Sequence, residues 1–179
     1  MTSCPPAAIA ILSADELAGE IGQLGKLLHD CVHAGAGVSF ILPFSQAEAE
    51  AFWREKILPA ARSGKMLVVV ARRGGRIAGS VQLDYDTPPN QPHRAEIRKL
   101  LVHPDFRRRG IARAMLVEIE RQAKALGRSL ITLDTRTGDK AEPLYASLGY
   151  IAVGVIPDYA RDSVVDRLDP TTIMYKLLG

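Results

Sequence analysis

The stretch that decides the fold spans residues 96–126 and reads EIRKLLVHPDFRRRGIARAMLVEIERQAKAL. Its first seven residues predict a strand, and Pro104 should end that strand because proline has no N–H to donate to a ladder. From residue 112 to residue 126, apolar side chains recur at helical spacing, with charged residues between them. Gly127 follows, where the C′ residue of a helix is commonly glycine. The order is therefore strand, basic glycine turn, helix.

The basic turn, Arg107-Arg108-Arg109-Gly110, is a candidate anion site. The N-terminus of a helix presents unpaired N–H groups and the positive end of the helix dipole, so a glycine turn that opens a helix can hold a phosphate. Three arginines in a row strengthen that potential. Taken alone, the same residues fit a solvated basic turn equally well, and both interpretations stay open at this point.

The order of these residues resembles the cofactor motif of the GNAT superfamily of N-acetyltransferases, which binds the pyrophosphate of acetyl-CoA. The resemblance lies in Arg107-x-x-Gly110-x-Ala112 directly after a strand that ends in Leu101-Val102-x-Pro104. It implies acetyl-CoA as acetyl donor and no metal. The implied pyrophosphate loop consists of Arg107, Arg108, Arg109, Gly110, Ile111 and Ala112. The implied backbone partners of the pantetheine arm are Leu100, Leu101 and Val102.

The rest of the chain predicts an α/β fold. Capping-box patterns at Ser13 and Ser45 open two helices, and Arg73-Gly74-Gly75-Arg76 signals a β-hairpin. Apolar runs predict strands at 7–12, 66–71, 81–85, 96–102, 130–133, 151–156 and 172–177. With the helix after Gly110 and another that has Pro143 in its first turn, this makes about seven strands and about four helices. The resemblance implies a mixed, mostly antiparallel GNAT-like sheet, splayed between strands 4 and 5.

Composition limits the classes of protein to consider. A chain of 179 residues with 47% hydrophobic residues fits one domain over residues 1–179, with residues 1–6 tail-like. No apolar run is long enough to cross a bilayer and no signal peptide is evident, so we expect a cytoplasmic protein without membrane contact. Cys4 and Cys31 lack metal-ligand spacing, and we expect both to be reduced. The net charge of +3 is too small to favour nucleic acid, and few aromatics accompany the arginines.

The resemblance also implies two catalytic residues. Tyr145, in Leu144-Tyr145-x-x-x-Gly149, matches the tyrosine that gives a proton to the departing thiolate. Glu96 matches a glutamate on the fourth strand that is the general base in some members of the family. Each has a structural alternative: a buried tyrosine bonded to backbone, and an outward glutamate paired with Arg98 or Lys99.

One position departs from the family pattern. Many members have an asparagine three residues before the alanine of the later helix, where this chain has Gly138. Asp139 is expected to replace its contact with the cofactor or to cap the helix. A CoA-binding sensor without turnover is therefore an alternative to an enzyme.

A narrower resemblance concerns the acceptor. The loop Val32-His33-x-Gly35, the strand end Leu133-Asp134-Thr135 and Pro157-x-Tyr159 are similar to the bacterial tabtoxin-resistance acetyltransferases. It implies a small amino-acid-like amine as substrate, toxin or antibiotic resistance as a role, and substrate contacts from His33 and Tyr159. The chain is expected to be a monomer or a homodimer, and the sequence leaves that choice open.

Overall fold

A computed structural model describes residues 6–179, so most of the predicted tail, including Cys4, lies outside the described residues. Seven strands form one sheet in the order β1-β2-β3-β4-β5-β7-β6. Neighbouring strands are antiparallel except β4 and β5, which are parallel. The strands are β1 Ala8–Leu12, β2 Met66–Arg73, β3 Arg76–Asp84, β4 Arg94–Val102, β5 Leu130–Arg136, β6 Ile151–Arg161 and β7 Leu168–Leu177. The predicted mixed, mostly antiparallel sheet is confirmed.

The four predicted helical regions are present, two of them subdivided. The segments are α1 Ala14–Gly19, α2 Ile21–His33, α3 Gln46–Phe52, α4 Leu58–Arg62, α5 Ile111–Ala125 and α6 Ala141–Ser147. A π-helical turn, Trp53–Ile57, joins α3 to α4. Both predicted capping boxes form, because the Ser13 and Ser45 hydroxyls accept from N–H groups three residues on. Each satisfies donors that a helix start leaves unpaired.

Two apolar cores lie on opposite faces of the sheet, as alternation along the strands requires. Val69 and Val81 belong to the core beneath α5 and α6. Val68 and Val70 belong to the other core, which contains the fully buried Trp53 and the apolar sides of α1 to α4. The sheet is therefore covered on both faces.

Close packing of α5 onto the sheet depends on Gly79 in β3. A Cβ atom there would lie 2.7 Å from the Leu101 carbonyl oxygen and 2.8 Å from Cε of Met115. The Met115 side chain can move aside, but the Leu101 carbonyl belongs to the backbone of β4, so a side chain at this position would displace that strand. The start of α5 consequently lies directly over β3 and β4.

The pairing of β4 with β5 covers only three residues and then stops. Arg94, Ala95 and Glu96 pair with Leu130, Ile131 and Thr132, and both strands continue without each other. Opposite β3, β4 has an irregular register around Lys99, whose φ of +48° is left-handed. Such a bulge bends a strand. The two strands therefore diverge beyond Glu96, in keeping with the splay that the resemblance implied.

The β6–β7 hairpin differs from the prediction. The sequence favoured a short strand to residue 156 and a polar loop carrying Tyr159, but β6 continues to Arg161 and β7 begins at Leu168. Pairing with β7, interrupted after Ile156, resumes at Ala160, and this long-range ladder is not visible in local composition. Separately, no helix within residues 6–179 has the length and apolarity needed to cross a membrane.

Candidate active site

The basic turn forms a helix start with free donors. Gly110 is the N-cap of α5 with φ +75°, and the first helical bond runs from the Ala114 N–H to the Gly110 carbonyl, at 3.0 Å. The N–H groups of residues 111–113 therefore lack helical acceptors. A Cβ on Gly110 would meet no atom within 4 Å, so the space in front of the turn is open. A diphosphate fits both the donors and the space.

The three arginines behave differently from one another. Arg107 folds back, and its Nε donates to the Val102 carbonyl at 3.1 Å. The Arg109 guanidinium lies 6.0 Å from the centre of the Phe106 ring. Within residues 6–179, no carboxylate forms a salt bridge with Arg108 or Arg109. Arg109 and Gly110 line a cavity of about 420 Å³, to which Arg73 contributes another positive charge. The turn can thus neutralise a multiply charged anion.

Within residues 6–179, no strand pairs with the β5-facing edge of β4 beyond Glu96. On the other edge, Leu101 and Val102 pair with Ser80 and Gly79 of β3. An extended chain with amide groups can pair with such a free edge as an additional strand. The predicted segment from Leu100 to Val102 therefore lies where a pantetheine arm could be bound, although Arg107 already occupies the Val102 carbonyl.

Cys31 contacts the same strand end, with Sγ 3.5 Å from the Val102 carbonyl oxygen. Burial raises the pKa of this thiol to about 11, against the effect of Arg107. The thiol therefore stays protonated near neutral pH, where it would be a weak nucleophile.

Tyr145 lies on α6 and is only 4% exposed. Its ring meets Tyr150 edge-on, with the ring centres 5.5 Å apart. Burial raises the pKa of Tyr145 far above its usual range, and the negative charge of Asp134 raises it further. The phenol is therefore protonated at all physiological pH values and can donate a proton.

Glu96 lies where the two strands begin to separate, and it is ion-paired. Its Oε1 accepts from Nε of Arg98 at 3.1 Å, and Arg94 lies 3.8 Å from its other oxygen. Arg98 also binds Asp84, at 3.0 Å. The sequence left open whether Glu96 is a general base or an outward residue paired with Arg98 or Lys99, and the pair with Arg98 is present. Two guanidinium groups therefore lie against the carboxylate on both of its oxygens.

Asp134 is a second carboxylate at the splay, and the sequence did not single it out as catalytic. It lies on β5 two residues beyond Thr132, has an exposed side chain, and accepts a hydrogen bond from the Thr171 hydroxyl at 3.0 Å. Its charge is close enough to influence the pKa values of Tyr145 and Lys99. The only sequence feature that pointed to Asp134 was the strand end Leu133-Asp134-Thr135, and this pattern does not show which way the carboxylate points.

Residues 34–45, here named the acceptor loop, connect α2 to α3 and are held at several points. The Lys99 ammonium donates to the Val38 carbonyl at 2.9 Å, and the Leu42 N–H donates to the Ser163 carbonyl at 2.9 Å. Arg136 donates to the Gly35 carbonyl at 3.1 Å. A cavity of about 460 Å³ beside the loop is lined by three aromatic rings and two carboxylates, those of Phe40, Phe44, Phe52, Glu48 and Glu55.

His33 ends α2 instead of lying in the loop, a correction to the prediction. Its Nε2 lies 2.8 Å from the Phe44 carbonyl oxygen, and its ring stacks on His29 at 4.1 Å. These contacts leave only Nδ1 for a substrate. Tyr159, 52% exposed, lies on β6, and no contact described for residues 6–179 brings the two side chains together.

Asp139 does not cap α6, because Lys140 is its N-cap. The Asp139 carboxylate accepts from the Lys140 N–H at 2.6 Å and from Arg136 at 3.3 Å. Arg136 also binds Asp162 and Asp169, at 3.1 and 3.4 Å. The cluster ties β5, the β6–β7 hairpin and the acceptor loop together.

Residues 6–179 contain no group of three or more His, Cys, Asp or Glu placed to hold a metal.

Comparisons with known proteins bear on the family and the fold of the chain. Residues 36–150 match the family described as "Acetyltransferase (GNAT) family". An uncharacterised N-acetyltransferase encoded in the hisH-hisA intergenic region of Azospirillum brasilense is 31% identical over 127 residues, which cover 70% of this chain and 73% of the relative.

Two solved structures share the fold at low identity. An N-acetyltransferase from Staphylococcus aureus Mu50 superposes with a TM-score of 0.79 at 16% identity, covering 98% of this chain and 100% of that one. The acetyltransferase yncA from Salmonella typhimurium, solved with its cofactor acetyl-CoA, superposes with a TM-score of 0.77 at 16% identity, covering 98% and 95%.

Proposed function

The chain belongs to the GNAT family of acetyltransferases and is an N-acetyltransferase; on that premise, we propose that it moves an acetyl group from acetyl-CoA to the amine of a small amino-acid-like molecule. Transfer is direct, within a ternary complex of enzyme, donor and acceptor. The following residue roles are part of the proposal.

The observation that carries the proposal is the divergence of β4 and β5 beside the open start of α5. The free edge of β4 begins directly after Glu96, and the unpaired N–H groups follow Gly110. One ligand with an extended amide arm and a diphosphate would use both features. The acetyl-CoA bound to yncA has those two parts, which supports the same cofactor here.

The bound cofactor supplies an acetyl thioester. Two proton transfers accompany the reaction: the attacking amine must lose a proton, and the departing thiolate must gain one. An amine attacks only in its neutral form. The reference pKa values of an amine, about 10.4, and of a glutamate, about 4.3, differ by roughly six units, or about 8 kcal/mol. An ordinary carboxylate therefore needs help in removing that proton.

Two carboxylates at the splay share this task in the proposal. Asp134 lacks a salt bridge within residues 6–179, whereas Glu96 is held by Arg98 and Arg94. We assign the proton-accepting role to Asp134 through a water molecule, with Glu96 helping to orient the site. The positive charges of Arg98 and Lys99 lower the pKa of a nearby ammonium and so favour the neutral amine.

Tyr145 donates the second proton. Its hydroxyl would give the phenolic proton to the departing thiolate as the N–C bond forms and the C–S bond breaks. Burial and the charge of Asp134 are the influences on this phenol, and no hydrogen bond described within residues 6–179 uses its proton. Burial keeps the phenol protonated, so the proton is present when the thiolate departs.

The contacts that hold the acceptor loop in place support a small substrate. Lys99, Arg136 and Ser163 hold the acceptor loop against β4, β5 and the β6–β7 hairpin. A loop fixed at so many points limits the space for a long peptide and helps to exclude water. The resemblance to tabtoxin-resistance acetyltransferases adds a β-lactam amino acid as one acceptor and resistance as the role.

The test is an amine panel with acetyl-CoA, followed by thiol release and by mass spectrometry of the product. Free amino acids and β-lactam amino-acid analogues should give higher kcat/KM values than lysine peptides or polyamines. A preference for peptides would exclude the small-molecule acceptor. Tight CoA binding without thiol release on any amine would favour the non-catalytic sensor instead.

A further inference from the structure

Lys99 is the one lysine on the two strands that diverge, since β4 and β5 contain no other. It lies in the β4 bulge, three residues beyond Glu96, where pairing with β5 stops. Its ammonium reaches the rings of Phe40 and Phe52, which pack against the core on the side of the sheet opposite α5. A primary amine is therefore present at the splay, on the side of the acceptor loop.

We propose that Lys99 is a self-acetylation site: when no acceptor amine is bound, the enzyme transfers the acetyl group of acetyl-CoA to the Nζ atom of this residue. The inference rests on the proposed cofactor site and goes beyond it, because it assigns a covalent modification to the chain itself. It does not depend on which external amine the enzyme acetylates.

The direction of the cofactor along β4 brings the thioester to Lys99. In the proposed site the diphosphate lies at the start of α5, and the pantetheine arm runs back along β4 from Val102 to Leu100. Three residues of extended strand span roughly 10 Å, so the acetyl end lies beside the residue that precedes Leu100, which is Lys99. Because β4 and β5 are not paired there, an amine on the acceptor side can approach the acetyl group through the gap.

The contacts of the Lys99 ammonium hold its charged form more strongly than its neutral form. The ammonium lies 2.9 Å from the Val38 carbonyl oxygen and 3.4 Å from the Ser39 hydroxyl, and both are neutral oxygens. The hydrogen bond to Val38 and the attraction to the Phe40 and Phe52 rings are strengthened by the positive charge. Loss of the proton weakens both contacts and frees a flexible side chain to turn towards the gap.

Burial supplies the neutral form that a nucleophile requires. It lowers the pKa of Lys99 from 10.5 to about 8, and the nearby Arg98 lowers it further against the effect of Asp134. At pH 7.5 about a quarter of such an amine is neutral, against roughly 0.1% of a lysine with the ordinary pKa, a ratio of roughly 200. Lys99 thus combines a position beside the thioester with a reactive protonation state.

The transfer makes and breaks the same bonds as turnover on an external amine. Nζ of Lys99 attacks the acetyl carbon, so that an N–C bond forms and the C–S bond breaks. Tyr145 gives its proton to the departing thiolate, and Asp134 accepts the surplus amine proton through water. An amine and a thioester become an amide and a thiol, with no further reactant. The acetylated side chain has lost its charge, so its hold on Val38 is weakened and the acceptor loop is loosened.

Incubation of the purified protein with acetyl-CoA, in a buffer without amines, tests the site. Intact-mass spectrometry should show the gain of one acetyl group, and peptide fragmentation should place it on Lys99. The rate at pH 7.5 should exceed that at the exposed Lys124 of α5 at least roughly 200-fold. Lys99→Arg keeps the positive charge but should gain no acetyl group at this position, whereas Lys124→Arg should still be modified on Lys99. Circular dichroism and calorimetry with CoA check that each variant folds.

A second comparison separates transfer in the site from acetylation by acetyl-CoA in solution. Excess free CoA and the Gly110→Glu variant both keep acetyl-CoA out of the proposed site, so each should slow modification of Lys99 at least about tenfold but leave that of Lys124 unchanged. The first-order rate constant should not change with protein concentration, because the donor and the amine are held in one chain.

Three results would overturn this inference alone: a protein that binds CoA but gains no acetyl group on Lys99, a rate that excess CoA leaves unchanged, or a rate constant that rises with protein concentration. Failure of the wild-type protein to bind CoA would overturn the proposed function as well, so the two failures are distinguishable.

Discussion

The Lys99 ammonium lies 2.9 Å from the Val38 carbonyl oxygen and links the β4 bulge to the acceptor loop. The same ammonium lies 5.1 Å from the centre of the Phe40 ring and 5.3 Å from that of Phe52. A charged group is thus held among apolar side chains at the junction of the cofactor strand and the acceptor loop. Such a group is sensitive to pH.

Lys99 should make a contribution to stability that rises with pH in the alkaline range, opposite in sign to that of the buried Cys31 thiol, whose pKa is raised. Burial, with the nearby Arg98, lowers its pKa from 10.5 to about 8. Between these values the unfolded chain still binds the proton that the folded chain has lost, so the free energy of unfolding increases with pH. Lys99→Met should flatten this rise, measured by urea unfolding from pH 7.5 to 10.5. The exposed Lys124→Met is the control and should leave the pH dependence unchanged.

Gly110→Glu should abolish tight CoA binding. The change adds a carboxylate at the diphosphate position and strains a backbone with φ +75°, so a loss of at least about tenfold is expected in calorimetry. Gly64→Glu is the matched control, since Gly64 has φ +67° and equally open surroundings but follows Ser63, the C-cap of a different helix. Unchanged CoA affinity in folded Gly110→Glu would move the cofactor site elsewhere.

Tyr145→Phe should lower kcat roughly 10²–10⁴-fold, the usual contribution of a general acid, while CoA affinity stays near wild type. Tyr150→Phe removes another buried tyrosine hydroxyl nearby and should keep most of the activity. Since burial and Asp134 raise the pKa of Tyr145, its proton is retained, and ionisation of this residue should cause no fall in kcat below pH 10. Single-turnover rates separate chemistry from product release; an unchanged chemical step would exclude proton donation.

Asp134→Asn should reduce kcat/KM for the acceptor more than Glu96→Gln does. Asp134 is exposed at the splay, whereas Glu96 is held by two arginines. The pH profiles of both variants are the critical measurement, because loss of the proton acceptor removes the acidic limb of the profile. A larger effect of Glu96→Gln, with the acidic limb lost, would return the role to Glu96.

Local pattern was sufficient for most of the secondary structure and for the cofactor turn. The two capping boxes, the glycine hairpin and the amphipathic α5 each depend on residues within one turn or one hairpin of each other. Gly110 was recognisable as the helix start for the same reason. Tyr145 could be named from the family motif, although the motif said nothing of its burial.

Contacts between segments far apart in the chain could not be predicted from the sequence. The Glu96 pairing with Arg98 was one of two open alternatives. Asp134 was named only as part of a strand end, because the strand pattern does not show which carboxylate faces the splay. The polar composition around Tyr159 favoured a loop, yet the ladder from Ala160 to Asp169 extends the hairpin.

The sequence by itself determined the order of elements, the donors at the start of α5 and the family of the chain, because hydrophobic period, glycine positions and capping residues act over a few residues. Only the tertiary structure decided where β4 and β5 separate and which charged residues pair at the splay. It also left both faces of β6 exposed. These features depend on strand register and on contacts between residues far apart in the chain, where the same side chains have several partners available.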